Sequence, residues 1–129
     1  MSKTVMIVDD SASVRRVVGI ALKGAGYTVM EGSDGRDALS KLTGQKVHLI
    51  ISDVNMPNMD GLDMAQAIRD EFTNRVLHII MLTTEDNPAM RTRGKQIGVT
   101  GWIVKPFRGD AVLGPLRKLC EISAAAGQA

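Results

Sequence analysis

Apolar residues in this chain alternate between short unbroken runs and stretches where they recur every three or four positions. Thr4 to Val8 is such a run, rich in β-branched residues, and it stops at Asp9-Asp10; it reads as a buried strand. Val14, Val17, Val18, Ala21 and Leu22 then follow at helical spacing. Ser11 or Ser13 can cap that helix, and Gly24 and Gly26 can end it. Tyr27 to Met30 is a second short strand, and Ser33-Asp34-Gly35 opens a helix to about Leu42 with Ala38 and Leu39 inward, stopped by Gly44. The run Val47 to Ile51 forms a third strand ending near Asp53, and Pro57 cannot continue it because it has no N–H to donate.

After the loop Asn58 to Gly61, Leu62, Ala65, Ile68 and Phe72 mark the buried stripe of a third helix. Val76 to Leu82 is a fourth strand, ending at Thr83-Thr84-Glu85. Pro88 suits the first turn of a fourth helix carrying Met90, Arg91, Arg93 and Lys95 towards Ile97. Trp102 to Val104 is a fifth strand, ending at Lys105-Pro106. A last helix is expected from about Asp110 to Ile122, with Val112, Leu113, Leu116, Leu119 and Cys120 on its inner face. The tail from Ser123 is small and polar and is expected to fray. Strand and helix thus alternate five times. Continuous apolar strands among amphipathic helices predict an α/β fold: a parallel sheet covered on both faces.

Composition narrows the class. The 129 residues suit one domain, and the low aromatic content (3%) leaves the core to aliphatic residues and Met. A net charge of +2 does not argue for nucleic acid. The single cysteine, Cys120, excludes an internal disulfide and a cysteine metal cluster, and reads as a core thiol. No apolar run reaches the ~20 residues of a membrane span, and the N-terminus lacks a signal-peptide core. A cytoplasmic protein is expected.

In a parallel sheet all strand carboxyl ends share one edge, where ligands bind. This chain would place Asp9 and Asp10, Asp53, Thr83 and Lys105 there, each group from a different strand. Carboxylates packed together repel and raise at least one pKa. Mg²⁺ would relieve that, since it takes carboxylate and phosphate oxygens. Asp9, Asp10, Asp53 and the backbone carbonyl of Asn55 are the candidate ligands. Lys105 can pair with Asp53 or turn to a phosphoryl oxygen, and Thr83 can donate to another. Such an edge suits phosphoryl transfer onto Asp53 as nucleophile.

The acidic pair Asp9-Asp10, the stretch Asp53 to Pro57 with Asp60-Gly61, Leu82-Thr83 and Lys105-Pro106-Phe107 resemble the receiver domain of two-component response regulators along the whole chain. The resemblance implies a flavodoxin-like (βα)5 doubly wound sheet in three layers, of order 2-1-3-4-5. It implies a receiver domain over 1–123, with 124–129 as a flexible tail. It implies Mg²⁺-dependent transfer to Asp53 from the phosphohistidine of a sensor kinase, in a signalling domain that catalyses only its own phosphorylation and dephosphorylation.

The subgroup most resembled is the stand-alone chemotaxis regulators, to which Arg15-Arg16, Asn55 and Glu85 also correspond. The implied partners are a chemotaxis sensor kinase, a flagellar motor switch protein and a phosphatase; no nucleic acid or membrane is implied, and a monomer is expected. The face carrying Arg91, Arg93, Lys95, Arg108, Arg117 and Lys118 would dock an acidic or amphipathic peptide. In this subgroup an aromatic three residues before the lysine moves inward with the threonine on activation. Here it is Trp102 in place of the usual Tyr, while Thr84 stands where a smaller residue is common; Asn55 and Glu85 would tune access of water. Alternatives within the family are a phosphorelay shuttle and a regulator of a non-flagellar partner. A haloacid-dehalogenase-type phosphatase needs a second Asp where Asn55 stands. A flavodoxin-like electron carrier would have its flavin phosphate repelled by Asp9-Asp10.

Overall fold

The computed structural model describes residues 3–72, 77–84, 87–108, 113, 114, 116 and 118. Five strands alternate with four bounded helices: β1 (Thr4–Val8), α1 (Ala12–Gly24), β2 (Thr28–Gly32), α2 (Gly35–Leu42), β3 (Leu49–Ser52), α3 (Gly61–Glu71), β4 (His78–Thr83), α4 (Pro88–Ile97) and β5 (Gly101–Val104). Leu113, Gly114, Leu116 and Lys118 are also helical. The remainder of the expected last helix, including Val112, Leu119 and Cys120, and the tail lie outside the described residues.

Each helix start is fixed by a side chain that accepts a hydrogen bond from an otherwise unpaired N–H of the first turn. Ser11, Asp34, Asp60 and Asn87 do this for α1 to α4, and Pro88 fills the first position of α4. The first helix ends on Ala25, with Gly26 rather than Gly24 taking the left-handed conformation (φ 98°).

All strand pairs are parallel, in the order β2-β1-β3-β4-β5. Successive side chains in a strand point to opposite faces, so the apolar runs supply two cores. Val5, Ile7, Leu49, Ile51, Ile80 and Leu82 pack with Val18 and Leu22 of α1 and with Leu116. Met6, Val8, Ile50, Ile79 and Met81 pack with Ala38 and Leu42 of α2 and with Met64, Ala65 and Ile68 of α3. The result is the expected flavodoxin-like, doubly wound, three-layered fold. From β1 the chain first moves to one side, to β2, and then returns to the other, to β3. The winding therefore reverses between the carboxyl ends of β1 and β3, which opens a crevice there.

The structure corrects several local expectations. Val17 is 58% exposed rather than core, because it lies at the edge of an apolar groove with Val14, Val18, Leu82 and Phe107. Phe72 caps α3 instead of lying within it. The second strand runs on to Gly32, whose partner is Val8. The fourth strand takes in Thr83 and begins at His78, with Val76 outside the described residues. The edge strands β2 and β5 are only partly covered, and Val104 is 48% exposed.

Candidate functional site

The register of β1 with β3 sets the site. Val8 pairs with Ser52, and the Asp53 N–H donates to the Val8 carbonyl at 2.8 Å. Asp9 and Asp53 are thereby the first residues past two adjacent strands, at the reversal point. Asp9 is 1% exposed and Asp53 8%, while Asp10 faces solvent. One carboxylate oxygen from each of the three lies within 4.8 Å of the others.

Lys105 reaches into this group from beyond β5. Its Nζ lies 3.0 Å from Asp9 Oδ2 and 3.2 Å from Asp53 Oδ2. The Lys105 N–H donates to the Thr83 carbonyl, and the Lys105–Pro106 bond is cis. The expected pairing of Lys105 with Asp53 is present but shared, with Asp9 the nearer partner. The remaining oxygens are held by backbone: the Ser11 N–H donates to Asp9 Oδ1 at 2.9 Å, and the Val54 N–H to Asp53 Oδ1 at 2.8 Å.

Burial pushes the Asp53 carboxyl above its ordinary pKa; Lys105 works against this and Asp9 adds to it. Burial also disfavours the Lys105 ammonium, but the hydrogen bond it donates to Asp9 and the charge of Asp53 outweigh it, and the Lys105 pKa is raised. The two shifts have different main causes, burial for Asp53 and the two carboxylates for Lys105. A single ammonium faces two buried carboxylates, so it stays charged while Asp53 ionises reluctantly.

Thr83 is buried at the end of β4. Asn55 and Thr84 are exposed beside the cluster, and Glu85 lies outside the described residues. Trp102 stands apart from the carboxylates: it pairs with Met81 in the sheet and packs partly buried against the face covered by α3 and α4. The Arg91 guanidinium sits 5.7 Å from its ring centre. The expected basic face is partly engaged already. Arg93 pairs with Asp63 of α3, Lys95, Arg108 and Lys118 are exposed, and Arg117 lies outside the described residues.

Three contributors escape a reading of strand ends alone. Arg15 donates to the Asp9 carbonyl at 2.6 Å and pairs with Glu31 of β2. Ser52 is wholly buried and donates to the Asp53 carbonyl at 2.8 Å. Gly61 is buried with its Cα against that same carbonyl. Arg15 had a legible signal, one helical turn after Asp9-Asp10. Gly61 was legible only as part of the Asp60-Gly61 motif, without its role, and Ser52 had no signal, since both roles depend on how the loop after β3 folds back.

A hard divalent cation takes oxygen ligands, carboxylates above all. Three convergent carboxylates with one counter-charge fit that requirement. No described helix is long and apolar enough to cross a membrane.

A family model described as the response regulator receiver domain matches residues 5–117. The chain is 32% identical over 118 residues to a chemotaxis protein CheY of Pseudomonas aeruginosa, covering 91% of this chain and 95% of that one. It superposes with a TM-score of 0.86, at 42% identity, on the chemotaxis protein CheY4 of Vibrio cholerae, covering 92% of this chain and 99% of the other. With a TM-score of 0.80 and 27% identity it matches the response regulator TrrA of Thermotoga maritima, solved in complex with Mg²⁺ and beryllium fluoride, over 91% of this chain and 98% of that one.

Proposed function

The chain belongs to the response regulator receiver family, and from that premise we propose that it is a stand-alone receiver, spanning 1–123, that signals in chemotaxis through phosphorylation of Asp53. It takes the phosphoryl group from the phosphohistidine of a sensor kinase. The observation that carries this reading is the convergence of Asp9, Asp53 and Lys105 at the winding reversal, with Asp53 hard to ionise and short of positive charge.

Asp53 Oδ1 is tied to the Val54 N–H, so Oδ2, which faces Lys105, is the attacking atom. Its electron pair forms the new O–P bond as the P–N bond of the donor breaks. The electrons of that bond return to the imidazole nitrogen. Asp9, Asp10 and Asp53, with the Asn55 carbonyl, would hold Mg²⁺, which supplies neutralising charge for the phosphoryl oxygens. Lys105 then moves from two carboxylates to the phosphoryl group, and Thr83 donates to another of its oxygens. This local charge change biases a two-state element. Thr83 draws towards the site and Trp102 follows, altering the surface of α4 and β5. Asn55, Thr84 and Glu85 set the access of water and hence the lifetime. The changed surface engages a flagellar motor switch protein, with a phosphatase resetting it, in a cytoplasmic monomer that acts on no other substrate.

The test is labelling by a phosphohistidine-charged kinase domain. Wild type should gain an alkali-labile phosphoryl group that Asp53→Asn does not. Equal labelling of the variant would overturn the assignment. A pull-down with a flagellar switch peptide, with and without beryllium fluoride, tests the output. Capture independent of the mimic would favour the phosphorelay shuttle.

A further inference from the structure

The peptide unit of Asp53 is held more tightly than the end of a strand requires. Its N–H donates to the Val8 carbonyl, as a continuing ladder would. Its carbonyl, however, accepts from the side chain of the preceding residue: Ser52 Oγ donates at 2.8 Å from a wholly buried position. The chain then folds back, and the Gly61 N–H donates to the Val54 carbonyl at 2.8 Å. That return brings the Gly61 Cα against the Asp53 carbonyl. A Cβ at residue 61 would fall far inside contact distance of that oxygen, 3.0 Å from the Asp53 carbonyl carbon and 3.1 Å from Ser52 Oγ. The first residue of α3, the last of β3 and the peptide of Asp53 therefore form one closed contact. A polar side chain at a fully buried strand position is costly unless it makes a hydrogen bond, and this one spends its bond on the residue bearing the nucleophile.

We propose that Ser52 and Gly61 are positioning residues for the phosphoryl transfer. Ser52 fixes the Asp53 carbonyl from one side, and Gly61 admits the loop closely enough to brace it from the other. The backbone of Asp53 then cannot rotate, and Oδ2 is kept facing Lys105. The proposal rests on Asp53 being the phosphoacceptor. Attack in line with a breaking P–N bond tolerates little displacement of the nucleophile, and misplacement by about 1 Å can cost about 100-fold.

The experiment compares wild type, Ser52→Ala and Ser52→Cys with phosphoramidate as donor at saturating Mg²⁺, well below the melting temperature. Cysteine keeps the shape of serine but is a weak donor. Both variants should be slowed by about tenfold, and in metal-free protein their Val54 amide, which donates to Asp53 Oδ1, should exchange with solvent about tenfold faster. Gly61→Ala should lose more than either. If it does not fold, the Ser52 pair still decides. Rates within twofold of wild type, a Ser52→Cys rate equal to wild type, or loss of fold in Ser52→Cys would each assign Ser52 to packing and overturn the proposal. Failure of the phosphoacceptor reading looks different: Asp53→Asn would then label as fast as wild type.

Discussion

At the amino ends of the strands, polar side chains pair with backbone and with one another, although His78 Nε2 is buried without a hydrogen-bond partner. The Thr4 N–H donates to His48 Nδ1 at 3.0 Å, His78 Nδ1 pairs with Thr100 Oγ1 at 3.0 Å, and Arg69 donates to the carbonyls of Leu77 and Gly98. Burial holds both histidines below their ordinary pKa, so they are neutral near pH 7. At the carboxyl ends of the same sheet, one ammonium answers three clustered carboxylates. The two edges share strands, register and twist. The difference shows that the charge imbalance is not imposed by the fold, because among the described residues the amino edge of the same scaffold gathers no such cluster of carboxylates. An edge left with surplus negative charge gains most from a cation and from a group that brings one.

The largest test of that contrast is the metal. Mg²⁺ at 100 times its dissociation constant should stabilise the protein by about 2.7 kcal/mol, read as a rise in melting temperature that EDTA reverses. Asp53→Asn should weaken the rise, and Thr100→Val at the other edge should leave it unchanged. A rise equal in Asp53→Asn and wild type would detach the metal from this cluster.

Lys105→Met comes next. It leaves Asp9 buried beside Asp53 with no cation, and should destabilise the metal-free protein by about 2 kcal/mol, below the range for a fully buried pair because Nζ is partly exposed. Mg²⁺ should recover part of the loss. Denaturant unfolding with and without the ion measures both, and an unchanged midpoint in the metal-free variant would show that Lys105 does not balance the edge.

Acidity should move the two edges in opposite directions. The Asp53 pKa is raised in the folded state. Its contribution to stability is therefore present below the unfolded value of 3.8 and is lost as pH rises through the folded value. His48 and His78 are lowered. Their contribution is present above the unfolded value of 6.5 and is lost as pH falls through the folded ones. Lys105, being raised, keeps its contribution below 10.5 and loses it only at higher pH. On acidification from pH 7 to 4, metal-free Asp53→Asn should therefore lose more stability than wild type, and His48→Gln less. Parallel curves for all three would contradict this assignment of the shifts.

Much of this was legible because buried strands write themselves as apolar runs, and a carboxylate ending such a run needs a reason. Asp9, Asp53, Thr83 and Lys105 all stand at strand ends, where pattern alone finds them. Sharing was not legible: that Lys105 lies nearer Asp9 than Asp53 depends on register and side-chain reach. Val17 shows a second limit. Helical spacing places it in the apolar stripe, but whether a stripe position is covered depends on the neighbour, and here an apolar groove adjoins it. Arg93 shows the same from the polar side, since its partner Asp63 comes from a different helix. Ser52, and the contact that Gly61 of the Asp60-Gly61 motif makes, were hidden because a chain folding back on itself leaves no periodic trace.

The most direct measurement is the position of the phosphoryl group. Protein treated with phosphoramidate and Mg²⁺, reductively trapped and mapped by mass spectrometry, should carry the modification at residue 53 alone and none after EDTA. Modification elsewhere, or at residue 53 without a divalent ion, would contradict the account.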